Sequence, residues 1–383
     1  MGYLTQAISI NFAPLLFVTF QNTYGISIGR ISLLIGISFF TQLMSDIFVA
    51  KFNRCLNTRL SVIIAHLAVV FGMTGFAYLP EIMPDPYLGL VIATVAAAVG
   101  GGMIEVFISP IVQACPTKEK SSTMSFLHSF YCWGFAGTVL LSTLFFSIAG
   151  VEHWQMLSCL WALIPAIGAL SFIFVPIYTL EGDGGESADN TPSPFFRRGL
   201  FWLFFILMFC AGAAEQAMSQ WASSFAESGL GVSKAVGDIL GPCAFALFMG
   251  ASRLFYSKMG ERIKLAYFIM LSALISVAAY MITALSPIAA LSLAGCALCG
   301  LAVGIMWPGT YSLASQNIPG GTGMFAMLAV AGDIGCLTGP TAVGWIADAA
   351  GGDLKLPFLL ASIFPLAIIF ITRYILRHGG ASK

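Results

Sequence analysis

Apolar runs long enough to cross a bilayer recur along almost the whole of this chain, and that repetition limits its fold more than any other feature. A helix needs ~20 such residues to traverse the ~30 Å hydrocarbon core. Spans are predicted near 3–21, 29–50, 60–79, 87–113, 121–149, 154–176, 200–225, 236–257, 264–284, 288–315, 321–347 and 356–376. The class that follows is an all-α membrane protein with twelve transmembrane helices. Charged residues make up 9% of the chain and hydrophobic residues 58%. Soluble domains carry roughly 25% charged residues, so the runs are read as spans rather than as cores.

One long polar stretch, LEGDGGESADNTPSPFFRR at 180–198, interrupts the series. Its Gly, Asp, Glu, Ser and Pro content predicts a flexible linker. It separates an N-terminal six-helix half, 1–179, from a C-terminal one, 199–383. The first apolar stretch, from Tyr3 to Phe20, lacks the basic n-region and cleavage site of a signal peptide and is read as a span.

Lys and Arg set the expected orientation. With the N-terminus inside, cytoplasmic segments hold Lys51, Arg54, Arg59, Lys118, Lys120, Arg197, Arg198, Lys258, Arg262, Lys264, Arg373, Arg377 and Lys383, while the other side holds Arg30, Lys234 and Lys355. Both termini and the linker are therefore expected in the cytoplasm, with the chain in the plasma (cytoplasmic) membrane.

The halves also echo one another. SDIFVAKF (45–52) and SRLFYSKM (252–259) end spans 2 and 8, and GGGMIEVFISP (100–110) of span 4 is matched by GLAVGIMWPG (300–309) of span 10. Two matches at an offset of about 200 residues favour a duplicated, pseudo-symmetric six-helix unit.

Charging a side chain at the bilayer centre costs about 2.5–3.5 kcal/mol on insertion scales, so deep ionisable residues are functional candidates. Glu105 leads them: three glycines precede it and Pro110 follows it. A carboxyl there can exchange a proton as water reaches it from one face or the other, so Glu105 is the proton-coupling candidate. Glu215 lies in CAGAAEQAMSQWASSF (210–225), where Gln216, Gln220 and Trp221 follow it. Amides and a carboxylate beside an indole suit a polyol, and these four are read as solute-binding. Trp133 and Trp307 are midspan aromatics, His128 precedes Trp133 on span 5, and Asp333 falls on span 11 at the place matching Trp133. All four are cavity-lining candidates; His66 is read as a packing residue.

Asp46 and Arg253 occupy equivalent places at the ends of spans 2 and 8, with Arg54 and Arg59 nearby. This cluster is expected to close an inner gate. Cys296 and Cys299 form a C-x-x-C inside an apolar run of small residues, which reads as a helix contact. No metal-ligand cluster and no nucleophile–base pair stands out, so neither enzyme activity nor a cofactor or metal is expected. The 17 basic residues balance 17 acidic ones, which argues against a nucleic-acid partner.

GGGMIEVFISPIVQACP, AGAAEQAMSQWASSF, GIMWPGTYSLA and TGMFAMLAVAGDIGCLTGPTAVGWIAD together resemble the fucose permease-like branch (fucose, galactose and glucose:proton symporters) of the major facilitator superfamily. The resemblance implies the major facilitator fold, with a solute cavity between the halves, and gives Glu105 the place of that family's coupling glutamate. Where the family carries a second coupling carboxylate in span 1, this chain has no acid, and Asn11, the strongly polar interior residue there, is read as solute-binding. The function implied is proton-coupled import of a sugar or similar small polar solute by alternating access. Its partners would be that solute, protons and the lipid bilayer, and the chain would act as a monomer. The alternatives are a proton-coupled exporter of drugs or metabolites and a membrane sensor that moves nothing.

Overall fold

A computed structural model describes residues 1–52, 56–114, 120–177, 199–259, 263–318 and 321–378. The 180–198 linker and Arg54 lie outside the described residues. Every described element is a helix. Twelve are long and apolar enough to cross a membrane: Gly2–Tyr24, Ile28–Val49, Thr58–Ile82, Pro86–Ile108, Ser129–Ala149, Val151–Phe174, Gly199–Gly229, Lys234–Tyr256, Leu265–Leu285, Ala289–Asn317, Met327–Ala349 and Lys355–Arg377. They are numbered as spans 1 to 12. The chain divides into two compact units, Met1–Ala188 and Asp189–Lys383.

Local chemistry sets the helix ends. Asn57 caps span 3, its side chain accepting from the Leu60 amide at 3.0 Å. Pro86 opens span 4, where a missing N–H costs nothing, and Asp85 accepts from the Tyr87 amide at 3.0 Å. Span 1 stops at Gly25, whose φ of +65° suits glycine alone.

In the first unit, span 4 is the hub, and its three consecutive glycines explain why. A methyl group on Gly100 would strike the Ala65 carbonyl oxygen of span 3. One on Gly101 would lie 2.9 Å from Ser9 Oγ of span 1, and one on Gly102 2.9 Å from Asp46 Oδ1 and 3.0 Å from the Gln42 carbonyl of span 2. Successive helical positions point about 100° apart, so each glycine admits a different neighbour. Span 6 closes on span 3: His66 is buried against Gly168, Ser158 donates to the Met73 carbonyl at 2.6 Å, and Arg59 donates to the carbonyls of Phe172 and Ile173, both at 2.7 Å. Exposed Leu67, Phe71, Leu163, Ile167 and Phe174 leave the outside of this pair apolar, as lipid contact requires.

In the second unit, span 11 lies tightly on span 7, where Gly212, Gly335 and Gly339 leave no room for a side chain. Span 10 lies on span 8 in the same way: a methyl on Gly304 would be 2.8 Å from the Met249 carbonyl and 2.8 Å from Ser252 Cβ. The repeat read from sequence thus recurs in packing. Gly102 meets Gln42, Ser45 and Asp46, and Gly304 meets Met249, Ser252 and Arg253. Spans 6 and 12 share another signature, for each helix breaks, after Trp161 and after Ala361, just before Pro165 and Pro365.

Cys296 and Cys299 are fully buried, with Sγ–Oγ distances of 3.9 Å to Thr283 and 3.8 Å to Ser276 of span 9. They are contact residues between spans 9 and 10, as the small-residue pattern suggested.

Candidate functional site

A deep polar cluster around a glutamate marks each unit, and the two are built differently. In the first, Glu105 stands one turn beyond Gly101 and Gly102, on the face of span 4 those glycines open to spans 1 and 2. Gln6 of span 1 donates to Glu105 Oε2 at 2.5 Å, and Gln42 of span 2 donates to the same oxygen at 2.8 Å. Gln6 and Gln42 are both buried, and Glu105 is half-buried. Among the described residues, Glu105 takes part in no ion pair. Neutral amides therefore hold this carboxyl, so gaining or losing a proton breaks no salt bridge.

In the second unit, Glu215 of span 7 is paired with Arg253 of span 8, Oε2 to NH2, at 3.4 Å. Sequence explains how Arg253 comes to be there. In a regular helix the Gly304 carbonyl would accept from residue 308, but that residue is Pro308 and has no N–H. Span 10 is interrupted between Val303 and Met306, and Arg253 Nε donates to the Gly304 carbonyl at 3.3 Å. Broken helices with freed carbonyls are common at binding sites of membrane transport proteins. Gln216 extends the cluster. It donates to Glu215 Oε1 at 3.4 Å and accepts from Ser219 at 3.1 Å and Gln220 at 3.2 Å. Glu215, Gln216 and Gln220 thus come together as the sequence predicted.

Trp221 does not join them as a stacking face. It has no exposed surface, and its indole nitrogen donates to the Pro340 carbonyl of span 11 at 2.9 Å. Span 7 turns at Gln220 and Trp221, which swings the indole into the packed interior of the unit. The gate cluster also divides differently from expectation. Arg253 serves Glu215. Arg59 holds the last carbonyls of span 6, where a cation complements the helix dipole. Asp46 faces Gly102.

Asn11 donates to the Ala7 carbonyl at 2.9 Å and to Tyr131 at 3.4 Å, at the point where span 1 tightens into a 3₁₀ turn over Ala13–Leu16. The Trp307 ring lies against Gly332 of span 11, beside half-buried Asp333, and meets Tyr311 edge-on at 6.4 Å. Trp133 is 49% exposed, on a face shared with Phe130, Leu140 and Leu144. His128 lies on the helix of span 5, and its side chain is outside the described residues.

Two partners escaped the sequence reading. Gln6 and Gln42 are uncharged and sit in apolar runs, so only their place beside Glu105 marks them. A further cluster joins the ends of spans 7 and 8. Asp238, 1% exposed, accepts from Ser223 at 2.5 Å and pairs with Lys234 at 3.1 Å, and Lys234 lies 3.6 Å from Glu227. π-helical turns at Phe225–Gly229 and Ile239–Cys243 flank it.

Comparison with known proteins places these features. A family model described as Major Facilitator Superfamily matches residues 1–340. Membrane protein MosC of Rhizobium meliloti is 26% identical over 276 residues, 71% of this chain and 66% of its own length, just under two thirds of that relative. Among solved structures, a point mutant of the nucleoside transporter NupG aligns with a TM-score of 0.78 at 14% identity, covering 98% of this chain and 97% of that one. A bacterial homolog of the human lysosomal transporter Spinster, inward-facing and unoccupied, gives 0.77 at 14% identity, with 98% and 96% covered. A point mutant of the E. coli fucose:proton symporter FucP gives 0.67 at 18% identity, with 97% and 96% covered.

Proposed function

Because the chain belongs to the major facilitator superfamily, and is thus a multi-pass membrane transporter rather than an enzyme, we propose that it imports a sugar or similar small polar solute together with protons, by alternating access. The observation that carries this reading is Glu105, held on one oxygen by two neutral amides. Such a carboxyl gains and loses a proton without stranding a buried cation. The second cluster supplies the solute's counterpart. A paired Glu215 and Arg253 with Gln216, Gln220 and Ser219 is neutral overall and offers both donors and acceptors, which suits hydroxyl groups. The fucose:proton symporter among the structural relatives joins a sugar to a proton, and we assign this chain the same pairing.

The roles follow residue by residue. Glu105 carries the proton; Glu215, Gln216 and Gln220 contact solute, with Trp307 and Asp333 close to span 10's break. Trp221 positions spans 7 and 11. An exporter of cationic solutes would need an acidic solute site, and Arg253 neutralises Glu215 within the second cluster. The excess of Lys and Arg on one set of segments supports cytoplasmic termini and a cytoplasmic linker.

A thermal-shift screen of the purified protein against monosaccharides and other small polyols, at two pH values, identifies the solute. In proteoliposomes the stabilising solute should then drive protons inward and acidify the lumen. A stabilising solute that crosses with no proton movement would remove coupling from the proposal. A solute that binds and never crosses would favour the sensor.

A further inference from the structure

Gln6 uses one end of its amide and leaves the other unmatched. Its nitrogen donates to Glu105 Oε2, while its own Oε1 is buried and has no hydrogen-bond partner among the described residues. The residue is 3% exposed and the oxygen itself is buried, so bulk water does not satisfy it. Buried acceptors are almost always paired, and an exception calls for a reason.

The reason lies in what faces it. An ionised carboxyl only accepts hydrogen bonds, whereas a protonated one must also donate. A partner that serves both states needs a donor and an acceptor on one pivot, which a carboxamide has. We propose that Gln6 reads the proton on Glu105. It donates through Nε2 to the carboxylate. When a proton binds at Oε2, the carboxamide turns over so that Oε1 accepts from the new O–H. The inference rests on Glu105 being the proton site.

The motion is small, a rotation about the last side-chain torsion, which is broad and roughly two-fold. Only one O–H bond forms, to a proton delivered by water, and no helix has to shift. The consequence reaches further than the torsion. Hydrogen bonds to an ionised partner are about twice as strong as neutral ones, so protonation weakens the tie between spans 1 and 4. Gln42 makes the internal contrast, because it donates to the same oxygen from span 2 and its own Oε1 is not among the fully buried atoms without a partner.

Several titratable groups on the surrounding helices are engaged elsewhere: Tyr24 of span 1 donates to Glu81 of span 3, Arg30 of span 2 pairs with Asp85, and Arg59 of span 3 holds span 6. Span 1 also carries Tyr3. Span 2 carries Asp46, which faces Gly102 one turn away. Span 3 carries His66, turned to Gly168 and Phe172 of span 6. Span 5 carries Tyr131, within reach of Asn11, and His128.

Infrared difference spectroscopy during a pH titration of the purified protein tests this with the proton as the probe. The carbonyl stretch of protonated Glu105 is the band lost in Glu105→Gln and kept in Asp46→Asn. In Gln6→Met that band should move to the higher frequency of an acid whose O–H has lost its acceptor, and in Gln42→Met it should stay in place. A band unmoved in Gln6→Met overturns the role of Gln6 while leaving Glu105 as the proton site. Absence of any titrating Glu105 band in the unaltered protein instead removes the proton site itself, and this inference with it. If Gln6→Met does not yield folded protein, Gln6→Asn, which withdraws the amide by one methylene, should give the same upward move, and an unmoved band there overturns the proposal equally.

Discussion

Arg253 of span 8 and Glu215 of span 7 are joined at 3.4 Å, with the guanidinium also donating to the Gly304 carbonyl that Pro308 leaves without an amide. Three spans meet on one side chain. An arginine near the end of its own span reaches the middle of spans 7 and 10 because its long apolar stem lies along the helix surface.

Removing the cation alone should therefore harm the fold more than removing both charges. Arg253→Gln leaves Glu215 uncompensated. Breaking a fully buried pair costs roughly 3–5 kcal/mol. The 23% exposure of the Arg253 side chain lowers the expectation to about 2 kcal/mol. Thermal unfolding in detergent should rank Arg253→Gln below the Glu215→Gln/Arg253→Gln double variant. The reverse order would mean that the pair contributes little to stability.

Glu105→Gln should separate coupling from carriage. With the solute from the binding screen, uphill accumulation driven by a pH gradient should disappear while counterflow exchange persists. A glutamine still accepts through its carbonyl oxygen, so the Gln6 and Gln42 contacts survive and the loss falls on the proton alone. Retained accumulation would take Glu105 out of the coupling role.

Trp221→Phe should lower stability and leave solute affinity unchanged. It removes the indole donor to the Pro340 carbonyl and leaves a small void, together costing about 1–3 kcal/mol. Melting temperature and solute affinity, measured side by side, distinguish this from a stacking role, which would weaken affinity as well.

Gly100→Ala should be more damaging than Gly101→Ala. At position 100 the new methyl meets the Ala65 backbone, which cannot turn aside. At position 101 it meets the Ser9 hydroxyl, which can rotate away. Overpacking against backbone costs about 1–3 kcal/mol. Equal melting temperatures for the two variants would show that spans 3 and 4 readily separate.

The twelve spans were legible because bilayer thickness imposes a length and lipid imposes a composition, and both are visible without a structure. Glu105 and Glu215 were legible because a charge in an apolar run stands out. Their partners were not. Gln6 and Gln42 carry no charge, and they gain meaning only from a residue 99 and 63 positions away in sequence. Arg253 looked like a gate residue because its Cα lies near a span end, and sequence does not show where a long side chain sends its charge. Trp221 looked like part of a binding face because it follows a polar run. A turn at Gln220 and Trp221 parts the indole from that run.

The glycines at 100–102 also limit how the first unit can move. Span 4 touches a different helix at each of three successive positions, so it has no free direction in which to slide. Travel along span 3 drags it across spans 1 and 2. These four helices are thus geared together, and the places where a helix is already interrupted, the 3₁₀ turn of span 1 and the break in span 6, offer bending without slippage along those shared faces.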